Sequence, residues 1–173
     1  MAQKITRVGY GQVEPNHLSA RRTGDIYAQL PLNSSIKALE NGRFVKYDYA
    51  NDEVNLTGAG EWMLVLNEIK IYEPRETSKD FALKNTAENV GTPRVMKTRI
   101  GDIYTTNCLE LDGKKGEAVE TTETYDKGDK LTVDTTGYLV KNASPADGEM
   151  VWEVAAVTTM PDGQDAVKLM RIQ

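Results

Sequence analysis

The chain of 173 residues has one cysteine, one histidine, two tryptophans, two phenylalanines and no long apolar run. Each shortage excludes something. With Cys108 alone there can be no intrachain disulfide. Asn107 and Leu109 flank it in an apolar, strand-like context, which suits a small buried hydrophobe better than a nucleophile. One Cys and one His cannot furnish the usual Cys/His zinc site. A Ser-His-Asp triad would have to use His17, and a triad needs its base held rigidly between two partners. His17 lies in a stretch that reads as a flexible arm, so it is expected to be a contact residue. No segment has the ~18 apolar residues of a membrane-spanning helix. The start, Met-Ala-Gln-Lys-Ile, carries no apolar signal segment, so synthesis and first residence in a cytoplasm are expected. Gly9-Tyr10-Gly11 is too short to be a phosphate-cradling loop.

Carboxylates are plentiful, at 26. Asp126, Asp129 and Asp134 lie close in sequence, as do Asp162 and Asp165, but neither group has the spacing of a calcium loop. They read as turn formers. Glu61 and Glu149 each follow a glycine and hold matching places in an internal repeat. Two such acids facing one cleft would resemble a glycosidase pair, but at loop edges a solvated role is expected. The sequence therefore nominates no catalytic residue, metal or cofactor.

The net charge of −5 gives no reason to expect nucleic-acid binding. The charge is uneven. Residues 99–173 hold 8 basic and 14 acidic side chains, and residues 1–98 hold 13 and 12. The first 22 residues carry Lys4, Arg7, Arg21 and Arg22 against Glu14 alone. A basic arm of this kind can be drawn to an acidic neighbour.

What the chain does have is repetition. Gly24-Asp25-Ile26-Tyr27 recurs as Gly101-Asp102-Ile103-Tyr104, each with an arginine two residues earlier. Gly42 leads to Asp48 through Phe44-Val45, as Gly128 leads to Asp134 through Leu131-Thr132-Val133. Gly60-Glu61-Trp62 is echoed by Gly148-Glu149 with Trp152 close behind. The spacing between copies grows along the chain, as an insertion in the second copy would produce.

Short alternating or apolar runs read as strands over 25–30, 43–49, 53–56, 62–66, 68–72, 102–104, 108–111, 130–134, 138–140, 150–157 and 166–172. Thr135-Thr136-Gly137 and Pro161-Asp162-Gly163 read as turns. No stretch shows an amphipathic helix of three turns. The reading is an all-β chain. An extended arm over 1–23 precedes two small, related sandwich or barrel lobes over 24–84 and 99–173, joined by a polar connector over 85–98. Trp62 and Trp152 sit in apolar runs and are expected in the core. Tyr47 and Tyr49 share one strand face. Exposed together, they would favour contact with a partner or a glycan.

The stretch Lys127-Gly128-Asp129-Lys130 through Leu139-Val140 is a Gly-Asp, a strand, a turn with glycine and a second strand. Ser144-Pro145-Ala146-Asp147-Gly148 and the valine-rich 151–157 follow, and 41–48 looks like a degenerate copy. In this pattern of turns and hydrophobicity the chain resembles the small head-decoration (cement) proteins of tailed bacteriophages. The resemblance covers 127–173 well and 41–72 weakly. It implies a non-catalytic protein on the outer capsid surface of a virion, bound at joints between subunits of the major capsid protein. Self-association as a homo-oligomer is compatible with that, and neither nucleic acid nor membrane is contacted directly. It further implies that residues 2–23 add a strand to a neighbour, with Lys4, Arg7, Tyr10, His17, Leu18, Arg21 and Arg22 as contacts. The readings that compete are a carbohydrate-binding or host-attachment module, a tail or neck structural protein and, behind these, an enzyme of undefined substrate.

Overall fold

Alternation of apolar and polar residues, punctuated by glycine turns, folds the chain into short antiparallel strands. The computed structural model describes residues 2–71, 73–112 and 118–173. Its strands are β1 (Thr6–Arg7), β2 (Val13–His17), β3 (Ile26–Tyr27), β4 (Ala38–Leu39), β5 (Phe44–Asp48), β6 (Glu53–Asn55), β7 (Trp62–Val65) and β8 (Leu83–Lys84). They continue with β9 (Val95–Met96), β10 (Ile103–Thr106), β11 (Leu111–Asp112), β12 (Val119–Thr121), β13 (Lys130–Val133), β14 (Leu139–Lys141), β15 (Val151–Thr159) and β16 (Asp165–Arg171). One four-residue helix, α1 (Ala20–Thr23), ends on Gly24 in the left-handed region. The all-β expectation is met.

The repeat reaches down to single hydrogen bonds. One sheet runs β6-β5-β7-β9-β3, and the other runs β14-β13-β15-β16-β10 with β2 added at its edge. Copy for copy, the strand order is the same. Val45 faces Met63 as Leu131 faces Trp152, and Leu64 faces Met96 as Glu153 faces Met170. Ile26 faces Met96 as Ile103 faces Met170. Gly42 and Gly128 take φ of 92° and 90°. Asp48 and Asp134 each close the following turn by accepting backbone amides, those of Ala50 and Asn51 in the first copy and of Thr136 and Tyr138 in the second. The two tryptophans are not equivalent in this register: Trp152 matches Met63, and Trp62 matches Val151.

The two units stack front to back. On the first unit, Val45, Tyr47, Met63, Val65 and Val95 line one core, which Leu32, Ile36 and Leu39 close from outside with help from the β4-β8 pair. Its reverse face supplies Phe44, Leu64 and Met96 to a second core. The second unit meets them with Tyr104, Leu131, Trp152, Val154 and Leu169, the equivalents of the first unit's front residues. Such a contact is heterologous and could in principle propagate. Both free ends are blocked. The front of the first unit carries its apolar cap. On the back of the second unit, the paired Phe44 and Leu64 of the first are replaced by the paired Lys130 and Glu153. Trp152, fully buried, anchors the shared core edge-on against Tyr104 at 4.9 Å.

One face of the first unit is half of the shared core. Two expectations change. The segment 85–98 is not a connector, since β9 lies between β7 and β3 in the first sheet. Residues 68–71 are not a strand. They are exposed and unpaired in any sheet, and Tyr72 lies outside the described residues, as does much of the loop expected over 113–123.

Candidate binding surface

The N-terminal segment lies on its own chain. Thr6 and Arg7 pair with Glu120 and Val119, and β2 pairs with β10. Ile5, Leu18 and Ala20 are buried in the shared core. Single apolar residues between glycines carry no periodic signal, but each finds a long-range pocket here. Arg7, expected to meet a partner, is 5% exposed and ion-paired with the equally buried Glu40 at 3.0 Å. Glu40 also accepts hydrogen bonds from the Gly11 amide at 2.6 Å and from the Tyr138 hydroxyl. One carboxylate thus ties the N-terminal segment to both units. Burial by itself would raise the Glu40 carboxyl. The Arg7 charge, the Tyr138 hydroxyl and the Gly11 amide together outweigh it and hold the group below its ordinary value. Arg7 and Leu18 are therefore internal residues, and a contact through them would require the segment to detach.

The other expected contacts are at the surface. Lys4 lies 3.7 Å from Glu120, an exposed pair of the kind that adds little stability. The Tyr10 amide donates to the Lys79 carbonyl at 2.6 Å, and the Lys84 ammonium sits 5.4 Å from the centre of its ring. His17 is exposed on the edge strand β2, opposite Ile103. Arg21 and Arg22 are exposed on α1.

Tyr47 and Tyr49 do share a face, with ring centres 5.7 Å apart. Their exposures differ sharply. Tyr47 is 5% exposed, and its hydroxyl accepts the Gln29 amide, while Tyr49 is 66% exposed. Tyr27, which the sequence reading did not nominate, meets Tyr47 edge-on at 5.6 Å. The three rings form one side of a cleft of about 510 Å³, completed by Ala50, Ala59, Gly60, Glu61 and Met63. Gly60 is required there, since a Cβ would sit 2.8 Å from the Tyr47 carbonyl oxygen.

A second cleft, of about 340 Å³, opens between the two units. Glu61 and Glu149 both line it, with Trp62, Thr132, Met150 and Arg171. The two glutamates thus share a cleft, but they are not repeat equivalents: in the strand register Trp62 matches Val151, so Glu61 matches Met150. Their partners argue for holding rather than for proton transfer. Glu61 is bound to Lys97 at 2.6 Å, and Glu149 accepts the Ala146 amide at 2.9 Å. Trp62 is only partly buried, with the Lys46 ammonium 4.6 Å from its ring centre, whereas Trp152 is core as expected. Cys108 is buried, and burial pushes its thiol far up. Among the described residues no group of three or more His, Cys, Asp or Glu is placed to hold a metal ion.

Tyr27 was missed for a physical reason. Its repeat equivalent, Tyr104, is fully buried against Trp152, so the shared Gly-Asp-Ile-Tyr motif marks a backbone position and not a common role. No protein-family model matches the chain, and no curated protein or solved structure matches it significantly.

Proposed function

We propose that the chain is a non-catalytic structural protein of a virus particle that binds the outer capsid surface at the joints between subunits and stabilises the shell. Its partner in this reading is the major capsid protein, with no direct contact to nucleic acid or membrane. One observation carries the reading: two copies of one five-strand unit are welded into a single block by a common core. Neighbouring shell subunits repeat the same surface. A block with two related units, and so two related sets of loops, can grip two of them at once. The second grip is then intramolecular, which raises avidity without any new kind of contact. The stretch resembling head-decoration proteins, 127–173, supports the reading further, because it folds as the neighbouring strands β13, β14, β15 and β16 of one sheet.

The N-terminal segment serves as internal support in this account. Contact falls instead to exposed groups, among them the basic Arg21 and Arg22 of α1. The test is co-sedimentation with purified shells that lack the protein. Saturable pelleting, weakened by R21E/R22E, is expected. Failure to pellet with shells, or pelleting with isolated tails instead, would overturn the capsid assignment.

A further inference from the structure

The tyrosine cleft of the first unit and the cleft between the two units meet at Glu61, which lines both. On one side stand Tyr27, Tyr47 and Tyr49, and on the other Trp62, Glu149 and Arg171. From this juxtaposition we propose that the rim around Glu61 is a binding site for a neutral oligosaccharide, with Tyr49 as its stacking platform.

The chemistry of the lining selects the ligand class. A pyranose ring has an apolar C–H face, which packs on an aromatic ring, and a hydroxyl-bearing edge, which seeks fixed donors and acceptors. The Tyr49 ring is largely free for the first task. Tyr47 packs against it with ring centres 5.7 Å apart, and Tyr27 in turn meets Tyr47 edge-on at 5.6 Å. Met63, Ala50 and Ala59 keep that cleft apolar. The second task falls to the neighbouring cleft, where carboxylates and a guanidinium converge. Arg171 is anchored by the Thr98 side chain and the Gln173 carbonyl, so its remaining donors are held in place. The two volumes, about 510 and 340 Å³, lie in the range of small-ligand sites and suit a chain of about two to four sugar rings.

The charges argue against the obvious competitor, a basic peptide. Such a peptide needs uncompensated carboxylates. Glu61 is already neutralised by Lys97 at 2.6 Å. Asp48, at the lip of the tyrosine cleft, accepts four hydrogen bonds, from Ala50, Asn51 twice and Asn55. Glu149 accepts the Ala146 amide and shares its cleft with the Arg171 guanidinium, so what remains is a surface of π faces and mixed-sign polar groups, which matches an uncharged, hydroxyl-rich molecule. The site lies beyond the shell-binding reading and does not depend on it.

The test uses the isolated full chain on an array of neutral glycans, followed by titration of any glycan bound. Tyr49 is exposed, so Tyr49→Ala should leave the thermal midpoint of unfolding unchanged. The expected result is binding that Tyr49→Ala weakens by about tenfold or more, that Tyr49→Phe largely retains, and that Glu61→Gln also weakens. Absence of binding to any neutral glycan, or binding indifferent to Tyr49→Ala, overturns the proposal. Salt-sensitive binding of an oligolysine probe without glycan binding would assign the rim to a basic peptide instead. Co-sedimentation of Tyr49→Ala with shells separates this outcome from the fate of the capsid reading.

Discussion

Gly128 holds in the second sheet the place that Gly42 holds in the first. The Gly42 amide donates to the Val65 carbonyl at 2.9 Å, and the Gly128 amide donates to the Val154 carbonyl at 2.8 Å. In return the Val65 amide donates to Arg43 and the Val154 amide to Asp129, each 2.9 Å away and each one residue past its glycine. The duplication is therefore a property of the backbone. The side chains have diverged around it, above all where one unit must end the stack that the other begins.

That divergence predicts the effect of reverting it. Lys130 and Glu153 form the polar back of the second unit, where the first unit uses Phe44 and Leu64. The double variant K130F/E153L exposes an apolar pair on an open sheet face. Its mean sedimentation coefficient will exceed that of the parent chain at equal concentration, with the parent's circular dichroism preserved.

The buried pair Arg7–Glu40 makes a second prediction. Arg7→Met strands a carboxylate in the core and will cost about 3–5 kcal/mol in urea denaturation, whereas R7M/E40L will regain much of that loss. The pH dependence follows from the lowered Glu40 carboxyl. A group whose folded value is depressed stabilises fully above its unfolded value, about 4.3, and loses that contribution as pH falls through the lower folded value. Below about pH 4 the parent chain will lose stability more steeply than R7M/E40L.

Much of this was legible in the sequence, and the exceptions share a cause. Strands 44–48, 53–55, 130–133, 139–141, 151–159 and 165–171 announce themselves because each has a neighbour close in sequence and a short turn between, made by Ala50-Asn51-Asp52 in the first pair and containing Gly137 and Gly163 in the other two. Strand 62–65 reads as covered on both faces, and two cores cover it. Val95–Met96 gives no such signal, being two residues long with partners about thirty residues or more away. Ile69 and Ile71 show the reverse: alternation without a partner strand leaves both exposed. For the N-terminal segment, Gly9, Gly11 and Pro15 hide the burial of Ile5, Arg7 and Leu18, since that burial depends on pockets assembled by distant residues. Of the candidate surface, the shared face of Tyr47 and Tyr49 was visible, and so was the nearness of Glu61 to Glu149, although the register sets the two glutamates one residue out of equivalence. The contributions of Tyr27, Met63 and Arg171 come from tertiary packing alone.

The two hairpin-like turns of the second unit make different demands on glycine. Gly137 has φ of 83°, and a Cβ there would overlap the Phe44 carbonyl oxygen. Gly163 has φ of 86°, with open space around it. Gly163→Ala will cost about 1–2 kcal/mol for the backbone alone, and Gly137→Ala about 2–4 kcal/mol because overlap adds to it. Parallel urea titrations of the two variants will show the difference.

Cys108 is buried in the interior, and burial raises its thiol. A thiol-specific reagent will label the native chain only as fast as it unfolds. The labelling rate will rise in destabilised variants such as Arg7→Met, and it will match the unfolding rate read by fluorescence.

Shell binding by a two-unit block is tested most directly by a cryo-EM reconstruction of stripped shells to which the protein has been added back. The account predicts density for one copy straddling each joint, with its two sheets over adjacent capsid subunits. Density confined to a single subunit, or shells that stay bare at saturating protein, would contradict it.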